Sequence, residues 1–180
     1  MMKYNLFIFF LFFCLIGNSQ ETKKDTISIE NKNIYVNSDF DYEVEIPNWL
    51  TIKTKEATNL WGGTIDAING VENAIVINSY KKNEFKNLKK FINEKADKYK
   101  LGDKINSQSV LLKNDIGNFE NIGKAYKFQL LNGNKIYHSL FIFTETKKGY
   151  LWIIFTATPE TYNINIDKFK LFLKNLKINN

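Results

Sequence analysis

Two segments in the second half of the chain limit its possible folds most strongly. Residues 136–143 and 150–155 are rich in β-branched and aromatic residues, and large apolar side chains occupy both odd and even positions in each. Successive side chains of a strand point to opposite faces of a sheet, so both segments are predicted to be buried on both faces. Other elements must therefore cover this sheet on both sides.

Two segments with helical spacing can supply these covers. Residues 84–100 carry an apolar stripe, and Gly102 follows it, a residue that suits the left-handed position after a helix. That stripe consists of Phe85, Leu88, Phe91, Ile92, Ala96 and Tyr99. A second helix is expected to begin at Pro159, with Thr158 as its N-cap, and to run to Ile178. Its stripe consists of Ile166, Phe169, Leu173 and Leu176.

The rest of the chain predicts strands joined by short turns. Residues 39–46 alternate between apolar and acidic side chains, which is typical of a half-buried strand. Asn69-Gly70 is a strong hairpin signal. The other predicted strands are 51–55, 60–68, 71–80, 104–113, 120–131, 135–145 and 150–158, with a turn at 114–117. We therefore expect an α+β fold in which an antiparallel β-sheet of about six strands is sandwiched between helices, an α/β/α architecture.

Residues 1–19 have the features of a cleaved export signal. Lys3 precedes the uninterrupted apolar run 6–16, which is too short to cross a bilayer core that needs roughly 20 apolar residues. Small residues then lead to a predicted cleavage between Ser19 and Gln20. An uncleaved anchor is the alternative, and the short run argues against it. We expect an exported protein, periplasmic or secreted, with no stable membrane span after signal removal.

Cys14 raises the possibility of a lipoprotein. Lipidation sites need a small residue before the cysteine, and Phe13 is large, so we do not expect a lipid anchor. Cys14 is the only cysteine and leaves with the signal. The mature chain therefore has no thiol nucleophile, no cysteine-based metal site and no disulfide.

The remaining chain predicts one domain. Residues 20–33 are polar and lysine-rich, which indicates a flexible lead-in. Residues 34–180 contain no repeat and no linker-like tract, so we expect a single domain and a monomer. The formal net charge is +6, and every basic residue is lysine. Proteins that bind nucleic acids favour arginine, because its planar guanidinium group can donate two hydrogen bonds to one base or phosphate. The positive charge of this chain therefore does not indicate a nucleic-acid partner.

The ends of this region resemble a known family. Residues 42–49, with the sequence YEVEIPNW, resemble the strand and Pro-x-x-Trp type turn that open PsbP-like domains. The stretch YLWIIFTAT at 150–158 and the helix after it are similar to the end of the same domains, the PsbP/Mog-type α/β/α sandwich. The resemblance covers about 39–178 and implies an antiparallel sheet between helices and a non-catalytic docking module. The family shares no catalytic residues, so none are transferred to this chain.

Candidate sites are few. His138 is the only histidine, and its neighbour Ser139 points to the opposite strand face, so the two cannot form a dyad. We expect a strand histidine, no catalytic residue, no metal site and no cofactor. Asp39, Asp41, Glu43 and Glu45 could bind calcium, but a row along one strand does not converge on a point. A solvent-facing strand face explains these carboxylates better.

Two further groups have a functional and a structural interpretation. Lysines concentrate around the first helix, where they either dock on an acidic partner or anionic surface, or form a solvated face. They are Lys81, Lys82, Lys86, Lys89, Lys90, Lys95 and Lys98. Trp61, before Gly62-Gly63, either stacks on a ligand at a rim or fills the core beside a bulge, and we favour the core. Trp49 and Trp152 are also interpreted as core.

The sequence thus favours an exported, non-enzymatic binding or assembly-accessory domain of the cell envelope, with an unknown partner and unknown binding residues. One alternative is an envelope hydrolase that uses carboxylates from the strands, which requires two acidic groups facing one pocket. The other is a carrier of a small ligand or lipid, which requires a large closed apolar cavity.

Overall fold

A computed structural model describes residues 33–54, 59–68, 70–100, 108–132 and 134–179. The strands are β1 (Ile34–Asn37), β2 (Tyr42–Glu45), β3 (Leu50–Thr54), β4 (Leu60–Ile68), β5 (Val71–Lys81), β6 (Gln108–Phe119), β7 (Gly123–Asn132), β8 (Lys135–Glu145), β9 (Gly149–Ala157) and β10 (Leu176–Ile178). The helices are α1 (Leu88–Lys100) and α2 (Pro159–Lys174), and a short 3-10 turn spans Lys82–Glu84.

The strands form two antiparallel sheets. The main sheet has seven strands in the order β3-β4-β5-β9-β8-β7-β6, and a second sheet has three in the order β1-β2-β10. The meander β6 to β9 lies beside the meander β3 to β5, and the two meet where β5 pairs with β9. The prediction of an antiparallel α+β sandwich is confirmed, with one more strand in its main sheet than expected.

Both faces of the main sheet are covered. On one face α1 encloses a core with many aromatic side chains, among them Phe91, Phe128, Phe141 and Trp152. On the other face α2 and the small sheet enclose a second core, which includes Trp61, Phe155, Phe169 and Phe172. The side chains of β8 alternate between them: Leu140 and Ile142 belong to the second core, and Phe141 and Phe143 to the first. This confirms the burial on both faces that the sequence predicted.

The predicted strand 39–46 is shorter than expected. Residues 38–41 form a turn in which Asp41 has φ 54° and the backbone N–H of Phe40 donates to Asn37 Oδ1 at 3.2 Å. Pairing then holds β2 between β1 and β10. The alternation survives in β2, where Tyr42 and Val44 are buried and Glu43 is half-buried. The extra strand β1 was not predicted.

The turn expected at 114–117 is wrong. These residues lie inside β6, where the register against β7 shifts twice, between Leu111 and Lys113 and between Lys113 and Gly117. Gly117 takes φ 84°, which a bulge accepts. Asn, Asp and Gly are also typical of turns, so the composition of this stretch suggested a turn where the strand has a bulge. The chain reverses at Glu120 and Asn121 instead, with φ of 50° and 59°, and the Ile122 N–H donates to Phe119 O at 3.0 Å.

The helix boundaries also differ from the predictions. Residues 84–100 were expected to be helical, but α1 begins only after Asn87, whose Oδ1 accepts the Lys90 N–H at 2.9 Å and so caps the helix. Gly102, which was predicted to follow the end of this helix, lies outside the described residues. The second helix begins at Pro159 as predicted, but the Thr158 side chain makes no capping hydrogen bond.

The second helix ends at Lys174 and not at Ile178. Asn175 closes it, because its N–H donates to the Leu171 and Phe172 carbonyls. The Asn175 carbonyl in turn accepts the Glu45 N–H at 3.2 Å. The chain then continues as β10 beside β2, with Leu176 opposite Val44.

Candidate functional site

Several connections meet at one end of the main sheet. Alternate turns of a meander fall at the same end, so the β6–β7 turn lies beside the β8–β9 turn. The end of β5 joins them, because Lys81 pairs with Gly149 at the start of β9. The segment from Lys82 to Asn87, which leads into α1, therefore lies at the same end.

A depression of about 770 Å³ lies between these connections, and we call it the lysine groove. Its border carries three lysines and one glutamate: Lys82, Lys124, Lys147 and Glu145. The rest of its lining is Leu88, Gly117, Asn118, Asn121, Ile122, Gly123, Phe143, Thr144 and Thr146. Leu88 and Ile122 are half-buried and supply apolar wall, whereas the Phe143 side chain belongs to the core beneath.

The groove is held by close packing and by ordered turns. A Cβ added at Gly123 would overlap the carbonyl oxygen of Phe143, so glycine lets β7 begin close against β8. The Thr146 hydroxyl accepts the N–H groups of Lys148 and Gly149 at 3.1 and 2.9 Å and fixes the β8–β9 turn. The Lys147 N–H donates to Asn179 O at 2.9 Å, which ties this turn to the chain end.

The electrostatics of the groove are dominated by lysine. Lys82 forms an ion pair with Glu145 and lies 5.4 Å from the centre of the Tyr150 ring. Glu145, the only carboxylate in the lining, is therefore already paired. Lys147 is exposed at the tip of the β8–β9 turn. The groove offers positive charge around a small apolar wall.

A second depression of about 760 Å³ adjoins the first and shares Lys82. Its lining is more polar: Asp39, Phe40, Asn59, Ser79, Tyr80, Lys81, Lys82, Asn83, Glu84 and Lys148. Lys148 contacts Asp41 at 3.5 Å and donates to Ser38 O at 2.7 Å, and Glu84 accepts the Lys81 N–H at 2.7 Å. Asp39 and Glu84 are its two carboxylates, and they lie among three lysines.

The only histidine is a strand residue, as predicted. His138 is half-buried and meets the Tyr162 ring edge-on at 5.7 Å. Burial lowers its pKa, and the nearby charge of Lys127 lowers it further. Ser139 is fully buried, and its hydroxyl lies 2.8 Å from Thr156 Oγ1. Since His138 packs toward α2 and Ser139 points to the opposite face, the two do not form a dyad.

The four predicted acidic residues are dispersed, and Asp41 and Glu43 pair with lysines. Asp39 and Asp41 lie in the turn before β2, and only Glu43 and Glu45 lie on that strand. Lys177 of β10 donates to Glu43 Oε1 at 2.6 Å. Within the described residues no three His, Cys, Asp or Glu side chains are grouped to hold a metal ion.

The predicted lysines do not form one surface. Lys82 lines both depressions, Lys81 lines the second, and Lys86 and Lys89 are exposed. Lys90 lies 3.7 Å from Glu94. Lys95 lies 4.1 Å from the centre of the Tyr80 ring, and burial lowers its pKa. The Lys98 side chain lies outside the described residues.

The tryptophans are packing residues. Trp61 is buried and stacks on Phe172 with ring centroids 5.3 Å apart, which confirms the core interpretation. The bulge lies on the neighbouring β3, between Ile52 and Thr54. Trp152 is buried, whereas Trp49 is half-buried at the edge of its core. The predicted signal, with Cys14 and the Ser19–Gln20 cleavage site, lies outside the described residues.

Sequence reasoning missed most of the groove. Lys124, Lys147 and Glu145 were not singled out, because each belongs to a different strand end or turn. Their turn composition was visible, and the predicted meander already implied that the turns before β7 and before β9 fall at one end. The misplaced turn at 114–117 hid this, since it moved the β6–β7 reversal away from Ile122.

Comparison with known proteins supports the fold. No protein-family model and no curated protein sequence matches the chain. A crystal structure of PA94, a protein of unknown function from Pseudomonas aeruginosa, is similar with a TM-score of 0.56 and 15% identity over 83% of this chain and 98% of that one. The solution structure of cyanobacterial PsbP (CyanoP) from Synechocystis is similar with a TM-score of 0.51 and 12% identity, over 87% and 98%.

The fold is PsbP-like. At these identities the likeness concerns the fold alone, and it agrees with the architecture that the family resemblance implied. None of the helices in the described part of the chain is long and apolar enough to cross a membrane.

Proposed function

We propose that this protein is an exported, non-enzymatic binding or assembly-accessory domain of the cell envelope. Export is supported by the signal-like features of residues 1–19. The observation that carries a binding role is the lysine groove, an open concavity whose border holds three lysines and a single, paired glutamate. Such a surface favours electrostatic recognition of a partner more than bond-making chemistry.

A first experiment tests export. The full chain with a C-terminal tag is expressed in a Gram-negative host, and cytoplasmic and envelope fractions are separated. We expect the protein in the periplasm or medium, with Gln20 as its first residue on N-terminal sequencing. Retention in the cytoplasm at full length would contradict export.

A second experiment tests the binding role. Mature protein beginning at Gln20 is used to capture partners from envelope extract and, as a control, from cytosolic extract. We expect a specific envelope protein that is lost at high salt, because screening weakens attraction between exposed charges. Recovery of no partner, together with turnover of a small substrate, would overturn the proposal.

A hydrolase is the second candidate, because Asp39 and Glu84 line the same depression. It predicts hydrolysis of chromogenic ester or glycoside substrates that Asp39→Asn and Glu84→Gln each abolish. Glu84 Oε1 already accepts the Lys81 N–H at 2.7 Å, so this carboxylate helps to order the turn before α1. We therefore expect no turnover.

A further inference from the structure

The lysine groove has a charge that selects among partners. Lys82, Lys124 and Lys147 face a single lining carboxylate, Glu145, which is held by Lys82. Lysines therefore outnumber carboxylates in the lining, and the groove attracts a partner that brings carboxylates. Lysine borders of this kind raise association rates with acidic partners and discourage basic ones.

The walls of the groove offer both apolar and amide contacts to an extended chain. Leu88 at the start of α1 and Ile122 in the β6–β7 turn are half-buried and leave apolar surface accessible. Asn118 and Asn121 are exposed in the same lining and offer amide donors and acceptors to a peptide backbone. The volume of about 770 Å³ lies in the range of small-ligand and peptide sites.

The walls are also ordered before any partner arrives. The Ile122 N–H donates to Phe119 O at 3.0 Å across the β6–β7 turn, and Thr146 fixes the turn that carries Lys147. A preorganised site loses less entropy on binding.

A membrane surface is the competing occupant, and it would need a continuous apolar face. The exposed large apolar side chains of the described residues are instead spread over β1, β6, β8 and α2, at Val36, Leu112, Ile136, Ile164 and Leu171. Ile164 and Leu171 are 58% and 48% exposed on α2, which covers the sheet face opposite to α1. Leu88 of the groove belongs instead to the α1 side. The groove is concave between two turns, so a flat lipid surface would not reach its apolar wall.

We propose that the lysine groove is the docking site for an extended acidic segment of a partner protein, with an apolar side chain of that segment seated against Leu88 and Ile122. This inference rests on the proposed binding function and gives it a site and a partner chemistry. Lys124 and Lys147 attract the carboxylates of the segment, and the apolar wall sets its register.

The test measures fluorescence anisotropy with a short labelled peptide in which glutamates flank one phenylalanine. We expect saturable binding to the mature protein, weakened by at least about tenfold in Lys147→Glu and further in Lys124→Glu/Lys147→Glu. Replacing the phenylalanine of the peptide by alanine should weaken binding several-fold. A peptide with lysines in place of the glutamates should not bind.

The matched control for Lys147→Glu is Lys135→Glu, which makes the same charge change at an exposed position at the other end of β8. This variant should bind the peptide within about twofold of the unmodified protein, because charges separated by roughly 30 Å along a strand are screened from each other. Thermal unfolding of each variant checks folding, and Lys147→Gln provides a milder substitution at the exposed turn. Equal loss of binding in groove and control variants would refute the assignment.

Two further outcomes separate this inference from the proposed function. If envelope capture persists in Lys124→Glu/Lys147→Glu, the protein is a binding module but the groove is not its site. If the groove binds the peptide but the mature protein captures nothing from the envelope, the groove assignment stands and the envelope role fails. Binding of phosphatidylglycerol vesicles without binding of the acidic peptide would overturn the inference in favour of a lipid surface.

Discussion

Glycine at two positions decides how closely the strand ends approach at the lysine groove. A Cβ at Gly149 would lie 2.5 Å from Tyr80 O and 2.8 Å from Phe40 Cδ1, and one at Gly123 would overlap Phe143 O. In both places the obstructing atoms include backbone, which cannot rotate away as a side chain can. Glycine is therefore required at both positions because a larger residue would collide with the neighbouring strand.

Gly123→Ala is expected to destabilise the protein by about 2 kcal/mol or more, because the β7–β8 pairing must shift to admit the methyl group. The free energy of unfolding is measured by urea denaturation. Gly70→Asn serves as the control: Gly70 has φ 76°, which asparagine tolerates, and nothing lies within 4 Å of an added Cβ. This substitution should lower the free energy of unfolding by about 0.5 kcal/mol or less. Equal losses of stability in the two variants would show that the packing around Gly123 does not require glycine.

The titration of His138 tests the electrostatic environment of a single side chain. Because burial and Lys127 lower its pKa below the ordinary value of 6.5, protonation favours the unfolded chain. Its contribution to stability is therefore complete above pH 6.5 and is lost as the pH falls through the folded pKa. NMR titration of this single imidazole should give a midpoint below 6.5.

Two variants separate the charges around His138. Lys127→Gln should raise the midpoint of its titration, and Glu160→Gln should lower it, because Glu160 favours the charged imidazole. A midpoint above 6.5 in the unmodified protein would contradict this account.

At the scale of elements, α1 is attached to the sheet through aromatic packing. Phe91 is fully buried, with ring centroids 4.9 Å from Phe85 and 5.2 Å from Tyr150. Tyr99 contacts Phe141 edge-on at 4.9 Å near the other end of the helix. The helix therefore depends on its apolar face more than on its own propensity.

Phe91→Ala should lower the free energy of unfolding by about 3–5 kcal/mol, the usual cost of removing a buried phenyl ring. Lys89→Ala, two residues earlier on the exposed face, should change it by less than about 0.5 kcal/mol. Denaturant unfolding followed by circular dichroism measures both. Similar values for the two variants would mean that α1 does not depend on this contact.

The accuracy of the sequence predictions also varies by element. Residues 135–145 were predicted as a strand with the observed bounds, because its apolar side chains on both faces allow only a buried position. The bulge of β6 was missed, because Asn114 to Gly117 have the composition of a turn and only the pairing with β7 shows otherwise. Strand β10 was missed because Leu176 continues the helical spacing of Phe169 and Leu173.

The candidate site was harder to predict than the fold. The individual lysines of the groove are visible in the sequence, but their proximity depends on strand order and on the true position of the β6–β7 turn. Only Lys82 was named in advance among its border residues. Local sequence patterns are enough to predict helices and strands. To predict a surface formed by several turns, the order of the strands in the sheet must also be known.

For the molecule as a whole, buried phenols on both sides of the sheet link stability to alkaline pH. Burial raises the pKa of Tyr80, Tyr99 and Tyr162 to about 12 from 10.0. A folded-state pKa above the unfolded value means that stability is complete below pH 10 and is lost as the pH rises toward 12.

We expect the free energy of unfolding to fall steadily above pH about 10, and the phenolate absorbance of Tyr80, Tyr99 and Tyr162 to appear late in the native protein but at normal pH in denaturant. Tyr80→Phe and Tyr99→Phe keep the rings and remove the ionising groups, so each should reduce the alkaline loss. If the absorbance lost in Tyr80→Phe or Tyr99→Phe were the part that appears near pH 10, the burial of these two phenols would be contradicted.

Both outer strands of the main sheet are irregular, and this affects how copies of the protein meet. The register of β3 shifts opposite Gly62 and Gly63, and that of β6 shifts on either side of Lys113. In each pair the extra residues lie on the outer strand itself. An interrupted row of unpaired amides is a poor template for a further strand, so neither border readily extends the sheet into a neighbouring copy. The interruptions on β3 and β6 therefore favour a sheet that ends with these strands over one that continues through a second copy.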